Sequence, residues 1–127
     1  MKPFTDIKQS KELAEILPID TADGFYEAYI NPKTEDWEYV LIAGNQWASP
    51  EVVVPAWSLA ALLEIIPNQL DEFRFLLFPC YNSEWGCCYE NDNAGYYDVK
   101  IKYSAYGESP IDACVEMILI LKEEKIL

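Results

Sequence analysis

The chain has 127 residues, 51% hydrophobic and 14% aromatic, enough to bury the core of one ordinary domain and too apolar for a disordered chain. Its 22 acidic and 9 basic residues give a net charge of −13, which repels phosphate backbones and anionic lipid and argues against direct nucleic-acid or membrane binding. No stretch reaches the length of a membrane span, and "MKPFTDIKQS" has no apolar run of the secretory kind, so a cytoplasmic location is expected, where cysteines are ordinarily thiols, metal ligands or catalytic groups rather than a disulfide frame.

"TDIKQSKELAEILP" predicts a first helix: Thr5 or Asp6 can cap it, Ile7, Ala14 and Leu17 share a face near Leu13, and Pro18 ends it. "GFYEAYI" (24–30) and "WEYVLIAG" (37–44) are rich in aromatic and branched residues, and "NPKTED" between them supplies turn chemistry, so they predict an antiparallel hairpin. "EVVV" (51–54) is an extended lead-in to "PAWSLAALLEIIP" (55–67), a helix enclosed by prolines with Leu59, Leu62, Leu63 and Ile66 along one face. Strands follow at 71–79, 84–90 and 95–103. A last helix over 108–124 opens with Ser109 as cap and Pro110 in the first turn, and is apolar nearly all round.

The strand patterns set the layering. In "FRFLLF", Phe73, Phe75 and Leu77 point one way and Leu76 and Phe78 the other, so both faces need cover. In "YYDVKIKY", Tyr97, Val99, Ile101 and Tyr103 share an apolar face opposite Tyr96, Asp98, Lys100 and Lys102, as in a sheet wet on one side. The expected fold is a single α+β domain in the order α-β-β-α-β-β-β-α, a mostly antiparallel sheet of about five strands with helices on both faces.

Three of the four cysteines fall in "PCYNSEWGCCYE". In a strand, Cys87 and Cys88 point to opposite faces. With no Cys-x-x-Cys pair and no histidine anywhere, a zinc site built from Cys80, Cys87, Cys88 and Cys114 is not expected. A disulfide between neighbours would demand a strained turn inside the strand, and Cys114 reads as a small buried apolar residue. The nearby acids Glu84, Glu90, Asp92 and Asp98 do not make an EF-hand, because counting from Glu90 puts Ala94 and Ile101 where ligands belong. The absence of histidine also removes Ser-His and Cys-His catalysis. The acid pairs Glu35–Asp36 and Asp71–Glu72 fall in turns or at strand starts, where charge marks solvent. No cofactor is expected.

Aromatic residues are the remaining hint of a surface function, since Trp and Tyr favour interfaces. Trp37, Trp47, Trp85 and Tyr96 are the candidate interaction residues. The expected role is a non-catalytic module that binds a protein partner or itself. Two alternatives stand beside it: an acidic mimic of nucleic acid that inhibits a basic protein, and a small enzyme using paired carboxylates or a thiol.

Trp57, Ser58, Ala60, Ala61 and Leu62 in "PAWSLAALLEIIP", three strands, and then Ser109, Pro110 and Ala113 in "ESPIDACVEMILIL" resemble the phage ABA-sandwich domain family and related short proteins of gut anaerobes and their phages. "KELAEILP" fits the helix that precedes that domain. The resemblance implies an α-β-α sandwich encoded by a phage or integrated element. It carries no functional residue, because that family has no established activity. Residues 31–50 depart from the shorter family pattern.

Overall fold

A computed structural model describes residues 2–44, 53–91 and 99–127. Among these, three α-helices, a 3-10 turn and seven strands form two compact units, one spanning 3–61 and the other 62–127 with Lys2.

The first unit begins with α1 (Ile7–Ala14). Asp6, not Thr5, caps it: its carboxylate accepts from the Gln9 amide at 2.8 Å, while the Gln9 side chain accepts from the Asp6 amide at 3.1 Å. Thr5 is instead wholly buried, and it ties the start of the chain to Trp57. Its amide donates to the Trp57 carbonyl at 2.9 Å, and its hydroxyl accepts from the Trp57 amide at 3.1 Å and lies 2.7 Å from the Ser10 hydroxyl. The buried face of the helix segment is Ser10, Leu13 and Leu17, whereas Ala14, expected inside, is exposed. Ser10 is held on that face by its buried contact with the Thr5 hydroxyl.

After a 3-10 turn (Ile19–Thr21), β1 (Gly24–Ile30) and β2 (Trp37–Ala43) form the predicted hairpin, with Ile30 opposite Trp37 and Phe25 opposite Ile42. β3 (Val53–Ala56) lies antiparallel on the other side of β1. The lead-in thus extends through Pro55 and Ala56, and the helix expected at 55–67 shortens to α2 (Leu59–Ile65). Pro55 fits there because it faces Phe25, whose own backbone groups point towards β2. Ser58 then starts α2: its hydroxyl accepts from the Ala61 amide at 3.2 Å and donates to Asp23, whose other oxygen accepts from the Ser58 amide at 2.8 Å.

The second unit is an antiparallel meander of β4 (Gln69–Leu70), β5 (Phe73–Pro79), β6 (Trp85–Asn91) and β7 (Ile101–Gly107), followed by α3 (Pro110–Glu123) against β6 and β7. The single sheet of about five strands expected from the sequence is therefore two sheets, of three and four strands. The physical reason is that β3 returns to occupy the second edge of β1, which completes the first sheet. A tight turn at Asp71, in the left-handed region (φ 53°), then pairs Leu70 with Phe73 and starts another.

β6 is one of the two inner strands of that sheet, and four consecutive residues, Gly86 to Tyr89, are buried. β5 answers the two-sided reading of its sequence: Phe73, Phe75, Leu76, Leu77 and Phe78 are all half-buried. β7 departs from the expected alternation. Cys88 faces Ser104, but Glu90 faces Ile101, so β7 carries one extra residue in a bulge. The bulge reverses the facing of residues before it. Val99 and Ile101, expected on the inner face with Tyr103, are 50% and 59% exposed. Past the bulge, Ala105 is buried.

The passage from β7 into α3 needs glycine. A Cβ on Gly107 would lie 2.5 Å from the Asp112 Cβ and 2.7 Å from the Ala113 amide nitrogen, so the first turn of α3 rests directly on the strand. Ser109 caps that turn by accepting from the Asp112 amide at 3.1 Å, and Lys2 pairs with the Asp112 carboxylate at 2.6 Å.

Candidate interaction surface

Three of the four cysteines, Cys87, Cys88 and Cys114, lie where thiol chemistry is suppressed. Cys87 and Cys114 are wholly buried, and the Cys87 thiol donates to the Ala113 carbonyl at 3.3 Å. Burial pushes both thiols up to about 12; for Cys87 the neighbouring Cys114 and Cys88 add to the effect. Cys88 is raised as well, by burial first and then by Glu90. Cys88 and Glu90 are two apart on β6, and Cys87 bonds to α3, so strand alternation turns the adjacent thiols apart. All four cysteines are free, and no three or more Cys, Asp or Glu side chains gather as metal ligands among the described residues.

Two open grooves mark the surface. One, of about 420 Å³, runs between Lys11, Ala14, Glu15 and Ile19 and the strand Val53, Val54 and Pro55. The other, of about 510 Å³, is lined by Phe78, Pro79, Cys80, Tyr81 and Tyr106. The Phe78 and Tyr106 rings close over Gly86, where a Cβ would fall 2.7 Å from the first and 3.0 Å from the second. Neither groove holds two carboxylates. Glu35 takes the left-handed conformation (φ 60°) within the turn between β1 and β2, and Asp71 does so before β5; these acids, with Asp36 and Glu72, are exposed turn residues.

The β1–β2 hairpin presents apolar surface to solvent. Its register places Ile30 beside Trp37 and Ala28 beside Tyr39 on one face. Trp37 is 68% exposed, Ile30 54% and Tyr39 41%. Lys11 of α1 reaches over the Tyr39 ring, 5.8 Å from its centre, and Tyr26 on the same face donates to the Thr5 carbonyl at 2.7 Å. The helix side of the sheet is thus secured at Tyr26, while the distal pair Ile30–Trp37 is largely exposed.

The opposite face of the hairpin is mixed: Glu27, Tyr29 and Glu38 stand beside Val40, which is 45% exposed. Glu38 accepts from the Tyr29 hydroxyl at 2.7 Å and from the Asn31 amide group at 3.0 Å. These bonds, Tyr29 first, lower its pKa, so the carboxylate is charged at neutral pH, and the same contact raises that of Tyr29.

Of the residues singled out from sequence, Trp37 is the exposed centre of this hairpin face. Trp85 is half-buried at the start of β6, opposite Pro79 and Gly107, in the other unit. Trp47 and Tyr96 lie outside the described residues. Ile30 and Tyr39 were not among the candidates, although a turn over 31–36 already sets Ile30 against Trp37. No protein-family model, curated protein or solved structure matches this chain.

Proposed function

We propose that the protein is a non-catalytic binding module that takes a protein partner through the apolar end of the β1–β2 hairpin. Following the resemblance in its sequence, we place it among the cytoplasmic accessory proteins of phages and mobile elements. One observation carries the reading: Trp37, Ile30 and Tyr39, three large apolar side chains, share one sheet face and stay 41% to 68% exposed. Single exposed hydrophobic residues are ordinary, but a contiguous group centred on tryptophan leaves apolar area in water that association would remove.

Affinity capture from host lysate at low and high salt, with the unmodified chain and Trp37→Ser as baits, tests it alongside light scattering of the pure protein. The expected result is a partner retained at both salts and lost with Trp37→Ser. Capture at low salt alone favours the acidic mimic. A monomer that captures nothing removes the binding reading.

A further inference from the structure

The hairpin offers more than a side-chain face. In the β1–β2 ladder the Asn31 amide donates to the Asp36 carbonyl at 2.9 Å and the Gly44 amide to the Asp23 carbonyl at 2.7 Å. Antiparallel pairs alternate between bonded and unbonded, so these two ends fix the phase. Glu38, Val40 and Ile42 turn their backbone groups towards β1, and Trp37, Tyr39 and Leu41 turn theirs outward. β2 is the outermost strand of its sheet among the described strands. It runs for seven residues, WEYVLIA, with no proline, no lysine and no break in register, the devices that ordinarily blunt an edge.

We propose that this edge takes an extended segment of a basic protein partner, which adds as a further strand beside Trp37–Ala43 and alternates apolar with cationic side chains. The proposal rests on the reading of the hairpin as a protein-binding surface. The alternation follows from the two faces. Residues set opposite Trp37, Tyr39 and Leu41 lie along the apolar face with Ile30, and those set opposite Glu38 and Val40 lie along the face that carries both carboxylates of the ladder, Glu38 and Glu27, beside Val40 and Ile42. Charge selects the occupant. From Gly24 to Ala43 the hairpin has four carboxylates, Glu27, Glu35, Asp36 and Glu38, against one cation, Lys33. Lys11 lies on the other, apolar side, over Tyr39. A second copy of the chain would bring another net charge of −13 to this edge, whereas a cationic strand is attracted to it.

The test is residue-resolved amide hydrogen exchange on the full chain with a capped peptide alternating lysine and valine. Two control peptides accompany it, one with glutamate for lysine and one with alternate backbone amides methylated. The lysine peptide is expected to slow exchange at Tyr39 and Leu41 by roughly tenfold or more, with Glu38, Val40 and Ile42 unchanged and neither control active. Tyr39→Pro is expected to lose this protection while keeping that of Glu38 and Val40, since proline is tolerated where an edge amide points outward. Tyr39→Ala, which keeps the amide but loses the ring, is expected to weaken this protection at Leu41 without abolishing it.

Resonance shifts at Trp37 and Ile30 without slowed exchange would overturn strand addition and leave side-chain docking standing. Failure of the lysine peptide to bind overturns the inference, and capture with the Trp37→Ser bait decides separately whether the binding reading survives. Protection that appears with protein concentration alone, without peptide, makes a second copy the occupant and overturns the basic partner.

Discussion

In the second sheet Tyr89 stands in the middle of β6, wholly buried, tilted against Phe75 at 5.5 Å and edge-on to Tyr103 at 6.4 Å, its hydroxyl donating to the Pro67 carbonyl at 2.7 Å. In the first sheet Trp37 begins the outer strand and is 68% exposed. Both are aromatic residues of antiparallel strands, and the aromatic type alone does not say which is core; Trp37 is a surface candidate in the sequence only because tryptophan favours interfaces. Position in the strand order decides. Among the described strands, β6 has one on each side and α3 against it, whereas β2 has one neighbour. An aromatic side chain in a central strand contributes to stability, and the same chemistry at an outer strand is left exposed.

The sharpest way to break this contrast is Tyr89→Ala. It removes a fully enclosed ring and is expected to cost about 3–5 kcal/mol by urea unfolding. A loss below about 1 kcal/mol would show that β6 is not the centre of the core. Next comes Gly107→Ala, where the new methyl group meets the backbone of α3 and not a movable side chain. A loss of about 1–3 kcal/mol is expected, and an unchanged denaturation midpoint would mean that the strand-to-helix contact is looser than described.

The buried thiols extend the comparison to pH. Cys87 and Cys114 keep their protons to about pH 12 when folded but release them from about pH 9 when unfolded. Between those values the native state binds more protons, so stability is fully present below about pH 9 and falls as pH rises towards about 12. The expected slope is up to about 1 kcal/mol per pH unit for each thiol. Urea midpoints measured across this range should fall less steeply in Cys114→Ala; identical slopes would contradict the raised thiol. The smallest effect belongs to Trp37→Ser, expected to change stability by less than about 0.5 kcal/mol while abolishing partner capture. A large destabilisation there would assign Trp37 to the core after all.

How far the sequence exposes these features follows from what each depends on. The β1–β2 hairpin and the start of α3 are legible because local chemistry specifies them: turn residues at 31–36, and Ser109 followed by Pro110. The bulge in β7 is not, because one extra residue opposite Tyr89 leaves no local mark and shows itself only against the partner strand. The same holds for the split into two sheets, which turns on β3 choosing the free edge of β1. Thr5 is a similar case. As a sequence it reads as a helix cap, and its bonds reach Trp57, 52 positions away. For the hairpin surface, Trp37 was visible as a type, but its exposure depended on a strand order that no spacing encodes.

Trp57, sealed from solvent with its indole N–H donating to the Thr21 hydroxyl at 2.9 Å, gives the molecule an internal optical reference. A shielded indole emits towards the blue and resists quenching by acrylamide, whereas Trp37 emits towards the red and is quenched readily. The chain has four tryptophans, so difference spectra against Trp37→Phe and against Trp57→Phe isolate the hairpin and the interior signals in turn. A ligand that covers the outer strand would shift the Trp37 component towards the blue, whereas loosening of the first unit would shift the Trp57 component towards the red. Occupancy and unfolding of the same unit are therefore separable by colour, without any attached dye.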